Sequence, residues 1–377
     1  MTDRPALTIA ARADWSALGE PLRDLLGPGG PDAVVVETSG SSGSPKRVRL
    51  GAEALRASGE ATAQVLGGHG QWLLALPTAH VAGLQVLARS ALAGTEPVEL
   101  DPAARFTADA LAEAVARMEP STRRYASLVP TQLRRALAAE RGARVLRQLD
   151  AVLVGGAASD PGLLDAARDA GVRVVTTYGM SETCGGCVYD GTPLPGVEVA
   201  VDGEGRIRLG GPILADGYPE DPVLTQERFV SDATGRSFVT DDRGAYRNGR
   251  LTVLGRVDDV VVTGGHKVEP RDVETALRAL PQVLDASSSG CPTRSGASAW
   301  PLWWPWRGTH GESGRRSRPR QSRCGRRCGS GVTSPRTPCR SRSRSSGRSR
   351  CSRPASRTAR RHGGCSPTVA EWDLHPS

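Results

Sequence analysis

A run of small and hydroxylated residues follows the first strongly apolar segment of the chain. Residues 34–36 are all valine and predict a buried strand, and residues 38–46 then read Thr-Ser-Gly-Ser-Ser-Gly-Ser-Pro-Lys. Small residues let the backbone approach an anion, and successive N–H groups in a tight loop form an anion-binding concavity. The segment suits nucleotide phosphates, although a Ser/Gly-rich stretch is also typical of a flexible turn. It is not a Walker loop, because Pro45 precedes Lys46 and Arg47 follows it.

Three further motifs follow in order. Residues 178–183 read Tyr-Gly-Met-Ser-Glu-Thr, residues 240–242 read Thr-Asp-Asp, and residues 255–259 read Gly-Arg-Val-Asp-Asp. As a set over about residues 30–285, the four motifs resemble the adenylate-forming acyl-CoA ligase superfamily. Within it, the chain is most similar to the short form of the o-succinylbenzoate–CoA ligases of menaquinone biosynthesis.

The resemblance implies a two-step reaction with ATP and CoA as co-substrates and Mg²⁺ as cofactor. A carboxylate attacks the α-phosphate of ATP and releases pyrophosphate, and the CoA thiol then attacks the acyl-adenylate and releases AMP. Both steps need phosphate charge neutralised and reactants held in line.

The resemblance assigns the phosphate and metal contacts. Ser181 would give a hydroxyl to the α-phosphate, and Glu182 a carboxylate to Mg²⁺, which prefers hard oxygen ligands. The β- and γ-phosphates would be cradled by the loop residues Thr38, Ser39, Gly40, Ser41, Ser42, Gly43 and Lys46.

It also assigns the nucleoside contacts. Tyr178 would stack on adenine, beside Gly179 and Met180, and the segment Gly155, Gly156 and Ala157 would lie along the base. Taken alone, Tyr-Gly could be a turn with a core tyrosine, and Gly-Gly a simple turn.

Asp242 aligns with the aspartate that binds the ribose hydroxyls, and Arg256 would also reach the ribose. The family usually has Gly where Asp241 stands, so Asp241 could compete for that role.

Shorter segments resemble the parts of the family that contact the acyl group and the pantetheine arm of CoA. His80 matches a family histidine near the acyl carboxylate, although a lone histidine is usually structural. Thr131, in Val-Pro-Thr-Gln-Leu, resembles an acyl-pocket position.

Asp258 falls at the hinge of the family's mobile domain. Gly264, Gly265 and Lys267 match the loop along the pantetheine path, where Lys267 could neutralise phosphate or belong to a basic surface turn.

The pair Cys184 and Cys187 could suggest a zinc or redox motif. No second Cys or His pair lies nearby in sequence, so a four-ligand zinc site is unsupported. We interpret the two cysteines as small pocket residues.

Strands alternate with helices as far as residue 176. The pattern predicts strands at 72–76, 125–129, 151–154 and 172–176, and helices at 53–66, 108–118, 132–147 and 161–170. This alternation favours a parallel α/β sheet, with ligands at loops beyond the carboxyl ends of strands. Loops at 38–46, 77–83, 155–157 and 177–183 satisfy that rule. Short alternating strands at 198–201, 206–209 and 250–254 predict a small antiparallel β subdomain, and residues 271–280 a helix.

Charge separates the C-terminal quarter from the rest. Residues 286–377 contain 19 arginines, no lysine and three acids, so they carry +16, whereas residues 1–285, with 30 basic and 37 acidic side chains, carry −7. The tail also has six of the eight cysteines and five of the seven tryptophans. Its Arg/Ser/Pro/Gly bias predicts disorder. A nucleic-acid-binding Arg/Ser tail is the rival interpretation, with non-specific, salt-dependent binding.

The chain has only two lysines, Lys46 and Lys267. The family's adenylating lysine, in a Gly-Lys pair near the end of its C-terminal domain, is therefore absent. One added base before codon 287 permits the reading Val-Val-Val-Gly-Val-Pro-Asp-Pro-Glu-Trp-Gly-Gln-Arg-Val, as this family's C-terminal domain continues. The same shifted frame over residues 351–356 permits Leu-Leu-Pro-Ser-Gly-Lys. We interpret the tail as a frameshift product.

We therefore expect an α/β protein with a large AMP-binding domain over 1–255, a truncated α+β C-terminal remnant over 256–285 and an aberrant tail over 286–377. The expected function is ATP-dependent ligation of a carboxylic acid, o-succinylbenzoate, to CoA. A ligase for another acid and an inactive nucleotide-binding remnant are the alternatives. No run of 18 apolar residues and no signal peptide is found, which predicts a cytoplasmic protein without membrane or specific nucleic-acid partners.

Overall fold

The computed structural model describes residues 6–9, 13–28, 32–38, 46–101, 105–233, 235–257, 261–263, 266–268, 273–274 and 276–277, and four two-residue strands between 287 and 303. The chain divides into two compact units, Met1–Cys324 and Gly325–Ser377, and every described residue belongs to the first. The domain boundaries expected at 255 and 285 stay predictions. Among the described residues, no helix is both long and apolar enough to cross a bilayer.

A three-stranded sheet begins the fold. It consists of β1 (Leu7–Thr8), β2 (Ala33–Thr38) and β3 (Lys46–Gly51), with β1 parallel and β3 antiparallel to β2. The segment 38–46 follows a strand, as predicted, since it begins at the last residue of β2, but it ends at the first residue of an antiparallel strand, β3, that the sequence analysis did not predict. The signal for β3 was its period-two pattern, in which Val48 and Leu50 are buried between arginines.

A seven-stranded sheet forms the centre of the fold. Its strands are β4 (Gln71–Leu74), β5 (Val98–Glu99), β6 (Arg124–Leu128), β7 (Ala151–Val154), β8 (Val174–Met180), β9 (Gly185–Tyr189) and β10 (Thr192–Pro193). The spatial order is β10-β9-β8-β7-β6-β4-β5; the part from β5 to β8 is parallel, and β8, β9 and β10 are antiparallel. The predicted parallel α/β sheet is confirmed.

Helices cover both faces of this sheet. They are α1 (Trp15–Leu26), α2 (Ala52–Leu66), α3 (Val81–Ala93), α4 (Ala108–Ala116), α5 (Pro130–Leu137), α6 (Glu140–Leu146) and α7 (Pro161–Asp169). Alternate residues of β7 belong to different cores: Leu153 packs in the cluster with α1 to α3, and Val152 in the cluster with α4 to α7. Because both faces are buried, the central strands are apolar throughout rather than alternating.

The single helix expected over 132–147 is two helices, α5 and α6. Ala136 and Val145 are nine residues apart, which is two and a half turns, so they would face opposite sides of one straight helix. Both are buried in the same cluster. The break between α5 and α6 turns both side chains towards that core.

The strand expected to end at residue 176 continues to Met180. Its first part pairs with β7, and its second part, from Thr177, pairs with β9 in the antiparallel direction. The segment 177–180 is therefore strand rather than loop, and it is followed by a short 3₁₀ turn, Ser181–Thr183.

An antiparallel β subdomain follows, as predicted. Its elements are β11 (Glu198–Val201), β12 (Arg206–Gly210), α8 (Pro222–Arg228), β13 (Phe229–Asp232), β14 (Gly235–Arg247) and β15 (Arg250–Arg256). The strand order is β11-β12-β14-β13, with β15 also paired to β14.

Shorter elements complete the described chain. β16 (Val261–Thr263) and β17 (His266–Val268) form a hairpin. Within the segment for which the sequence predicts no packed structure, Ser287–Ser288 pairs with Leu302–Trp303, and Cys291–Pro292 with Ser298–Ala299. The helix predicted over 271–280 lies mostly outside the described residues.

Candidate functional site

A cavity of about 600 Å³ lies beyond the carboxyl ends of β4, β6 and β7. Its walls include segments that directly follow these strands, among them Pro77, Val129 and Gly155. The rule for open α/β sheets therefore holds here. The cavity brings together most of the predicted site residues that are described: Thr38, Lys46, His80, Gly155, Gly156, Gly179, Met180, Ser181, Glu182, Asp242 and Arg256.

A second cavity of about 640 Å³ contains the other predicted nucleoside contacts. It is lined by Ala157 and Tyr178, and it shares Gly156, Asp242 and Arg256 with the first cavity. The two cavities therefore meet along the end of β7 and the pair of strands β14 and β15.

Some predicted site residues are not placed in either cavity. Thr131 is exposed in the first turn of α5 and lines neither one, whereas its neighbour Gln132 donates to the Ala75 carbonyl at 2.8 Å. Lys267 lies in β17. The remaining predictions fall outside the described residues: Ser39, Gly40, Ser41, Ser42, Gly43, Asp258, Gly264 and Gly265.

Tyr178 and Asp242 are joined directly. The Tyr178 hydroxyl donates to Asp242 Oδ2 at 2.7 Å. Burial, reinforced by the Asp242 charge, raises the pKa of Tyr178 far above its usual value, so the hydroxyl remains a proton donor at physiological pH. The contact fixes the Asp242 carboxylate at the boundary of the two cavities.

Glu182 is held by a residue that sequence reasoning did not find. The Tyr218 hydroxyl donates to Glu182 Oε1 at 2.8 Å, and Tyr218 lines the first cavity. The described residues contain no group of three or more His, Cys, Asp or Glu side chains placed to hold a metal. One carboxylate fits Mg²⁺ that takes its other ligands from phosphates and water.

Two glycines in the cavity wall allow close backbone approach. A Cβ on Gly155 would lie 2.2 Å from Thr177 Oγ1, and one on Gly179 would lie 2.0 Å from the Gly185 carbonyl oxygen. These positions therefore require glycine for packing, independently of any ligand.

Helix α3 places two buried polar side chains on the cavity. Gln85 is 1% exposed and Arg89 is 5% exposed, and both line the first cavity. Gln85 donates to the Cys184 carbonyl at 2.6 Å, and Arg89 donates to the Tyr189 hydroxyl at 3.3 Å, with its guanidinium carbon 5.0 Å from the Trp72 ring centre.

Neither side chain is fully satisfied. Gln85 Oε1 and Arg89 Nε are buried without a hydrogen-bond partner, and no carboxylate of the described residues forms a salt bridge with Arg89. A buried cation normally requires an anion. The sequence signal was present, because Gln85 and Arg89 are four residues apart in a helix whose other residues, except Ser90, are apolar or glycine.

Asp241 and Asp242 have different surroundings. Asp242 contacts Tyr178, whereas Asp241 Oδ1 accepts from Arg228 Nη1 at 2.5 Å. Both aspartates line the first cavity, but only Asp242 also lines the second. Asp242 is therefore the one placed at the shared boundary of the cavities.

Cys184 and Cys187 are core residues, so their interpretation as pocket residues was wrong. Both are fully buried in the cluster with α1 to α3, and the cavity wall is formed by Gly185 and Gly186 between them. Cys184 takes a left-handed conformation, with φ of 49°, which turns the chain from the 3₁₀ turn into β9.

The family description "AMP-binding enzyme" matches residues 28–218. The chain belongs to the AMP-binding enzyme family. It is 49% identical over 261 residues to a probable 2-succinylbenzoate–CoA ligase of Mycobacterium tuberculosis, covering 68% of this chain and 67% of that one. It is 35% identical to the 2-succinylbenzoate–CoA ligase of Escherichia coli K12, covering 66% of this chain and 52% of the relative.

Solved structures show the same fold. The chain matches the o-succinylbenzoate CoA synthetase of Bacillus subtilis in complex with the acyl-adenylate OSB-AMP, with a TM-score of 0.62 and 26% identity, over 74% of this chain and 60% of that one. The same enzyme in complex with ATP and magnesium gives a TM-score of 0.60 and 26% identity, over 72% and 59%. The chain thus spans about two thirds of the mycobacterial relative and less of the others.

Proposed function

We propose that this protein binds ATP with Mg²⁺, adenylates an aromatic dicarboxylic acid, o-succinylbenzoate, and transfers the acyl group to CoA. The observation that carries the proposal is one cavity that joins two kinds of anion contact. Ser181, Glu182 and Asp242 lie in its walls with the ends of β2 and β3, and the buried cation Arg89 lies against the core.

In this proposal, the end of the cavity at Ser181 and Lys46 and the end at Arg89 have separate roles. Ser181 and Lys46 bind phosphate oxygens, and Mg²⁺ neutralises phosphate charge when bound at Glu182. Arg89 binds the carboxylate that does not react, so the other carboxylate is directed at the α-phosphate. A dicarboxylic acid supplies the anion for Arg89, because one carboxylate is consumed by adenylation and the other stays ionised.

The relatives support the choice of acid. Those of M. tuberculosis and E. coli are named for 2-succinylbenzoate, and the B. subtilis structure holds its acyl-adenylate. His80, at the N-terminus of α3, is proposed to lie near the reacting carboxylate, since it lines the same cavity. Lys267, Gly264, Gly265 and Asp258 keep their proposed roles in thioester formation and hinge motion.

Pyrophosphate release with a panel of carboxylic acids tests the proposal. We expect release with o-succinylbenzoate, and weaker release with a monoacid that has the same ring and chain but no aromatic carboxylate. Equal release with both acids would contradict the assignment of Arg89. Release with an unrelated acid alone would show a ligase for another substrate.

A second candidate function follows from the lysine count. The chain has only Lys46 and Lys267, so it carries no counterpart of the family's adenylating lysine. In this alternative the protein binds ATP or AMP and adenylates slowly or not at all. Nucleotide binding measured by calorimetry, together with absent pyrophosphate release, would support it. Adenylation at rates normal for the family would overturn it.

A further inference from the structure

Asp241 lies at the centre of a cluster of three arginines. Its carboxylate is 2.5 Å from Arg228 Nη1, 3.5 Å from Arg206 Nη1 and 3.8 Å from Arg256 Nη2. These side chains come from four different elements or positions: α8, β12, β15 and the middle of β14. The cluster therefore links four elements of the β subdomain at one carboxylate.

The cluster faces the proposed nucleotide site. Arg228, Asp241 and Arg256 all line the first cavity, alongside Glu182 and Asp242. Two of the three arginines, Arg228 and Arg256, therefore lie in the wall of this cavity. Guanidinium groups there favour a ligand that carries phosphate.

Arg228 depends on Asp241 for its position. Among the described residues, Asp241 is the only carboxylate within ion-pair distance of Arg228, and the other polar contact of this guanidinium is the Val239 carbonyl oxygen at 3.4 Å. The side chain of Arg228 is 23% exposed. It is partly buried, so it has few other orientations in which its charge is compensated.

We propose that Asp241 is a positioning residue that holds Arg228 in the cavity wall, so that its charge acts on the phosphate of the bound nucleotide. This inference rests on the proposed nucleotide binding and goes beyond it, because Asp241 stands where the resembling family usually has glycine. The carboxylate at this position would make phosphate binding in this chain depend on an ion pair that a glycine cannot form.

The test compares AMP with adenosine, which differ by the phosphate group. Calorimetry on the purified full chain measures both affinities for the wild type and for Asp241→Asn, Asp241→Gly and Asp241→Glu. We expect the Asn and Gly variants to lose AMP affinity by about fivefold or more, with adenosine affinity unchanged within about twofold. Asp241→Glu, which keeps the charge, should retain the preference for AMP.

A matched control is Asp165→Asn. Asp165 forms an exposed ion pair with Arg168 in α7 and lines neither cavity. Both affinities should be unchanged in this variant. Thermal unfolding shows whether each variant keeps the fold. Because Asp241→Asn keeps the size of the side chain and removes its charge, a loss of AMP affinity in a folded Asn variant reports the loss of the ion pair.

Three results would overturn the inference. Equal losses of AMP and adenosine affinity would show a general structural role, and unchanged or tighter AMP binding would show that Asp241 only neutralises the arginines. If the wild-type chain bound neither ligand, the proposed function would fail and the inference with it. Either of the first two results, with AMP binding retained by the wild type, would reject the inference and leave the proposed function standing.

Discussion

The Tyr218 hydroxyl donates to Glu182 Oε1 at 2.8 Å, and the same aromatic ring lies 5.8 Å from Lys46 Nζ. One side chain of the β subdomain thus contacts the proposed metal ligand and adjoins the proposed phosphate-binding lysine of β3. Burial, reinforced by Glu182, raises the pKa of Tyr218 above its usual range, so the hydroxyl keeps its proton and the hydrogen bond persists at physiological pH.

Replacing Tyr218 with Phe should weaken Mg²⁺-dependent ATP binding roughly tenfold, which corresponds to about 1.4 kcal/mol, since a hydrogen bond to a charged group is lost. The phenylalanine ring still covers Lys46, so the change isolates the hydroxyl. Calorimetric titration of ATP with and without Mg²⁺ measures the effect. Tyr246→Phe is the matched control, because Tyr246 is exposed and lines neither cavity. An equal effect of both substitutions would remove the basis for this role.

Replacing Arg89 with Met should lower the affinity for o-succinylbenzoate by about 2 kcal/mol or more, because the substrate carboxylate would be buried without its counter-charge. The free energy of unfolding should be maintained or increased, since the substitution removes a buried cation. Substrate titration and urea unfolding measure the two quantities. A large loss of stability with unchanged affinity would assign Arg89 to the fold alone.

Replacing Gly179 with Ala should destabilise the protein by about 1–3 kcal/mol, as overpacking does in a close-packed interior. The added Cβ would meet the Gly185 carbonyl and the Gly186 Cα, so β8 and β9 must separate. Gly203→Ala is the control, since a Cβ there has no neighbour within 4 Å. Urea unfolding compares the two variants. Similar urea midpoints for Gly179→Ala and Gly203→Ala would show that β8 and β9 accommodate the added methyl group without loss of stability.

The stability of the protein should fall as the pH rises above about 9. Burial raises the pKa of the Cys187 thiol to about 12 and raises that of Cys184 as well. Since the folded pKa exceeds the value of about 8.5 in an unfolded chain, this contribution is fully present below that value and is lost as the pH rises towards 12. Each such thiol gives a slope of up to about 1.4 kcal/mol per pH unit.

Urea unfolding between about pH 8 and pH 9.5 measures this slope, below the range in which tyrosine ionises in an unfolded chain. Cys187→Ala should make the dependence shallower. Alkylation followed by peptide mapping should label Cys184 and Cys187 only after unfolding. Rapid labelling of either thiol in the native chain would contradict the pKa shifts.

Much of the fold follows from local sequence patterns. The apolar run of β7 and the alternating strands β11 and β12 are visible in the sequence because their burial sets the spacing of apolar residues. β3 was missed because the glycine-rich segment before it suggested a strand-to-helix loop. The end of β8 was missed because its pairing with β9 is a long-range contact, and Tyr178-Gly179 has the composition of a turn.

Sequence motifs predicted those residues of the candidate site that lie together in one short segment. They did not reveal the residues that reach the site through contacts between segments far apart in the sequence. Ser181, Glu182 and Asp242 lie in short motifs with specific chemistry. Tyr218 and Arg228 contact partners on other elements, Glu182 and Asp241, and spacing along the chain does not reveal these contacts. Arg89 was detectable in principle, because a cation inside an apolar helix is costly and needs an explanation.

If the substrate carboxylate pairs with the buried Arg89 as proposed, substrate binding contributes to the stability of the fold. A ligand that binds only the native state raises stability by RT ln(1 + [L]/Kd), which is about 2.7 kcal/mol at one hundred times Kd. An acid that pairs with Arg89 would complete the charge balance of the interior beside Trp72 and Tyr189. The resistance of this protein to heat and proteolysis would then vary with the supply of its acid.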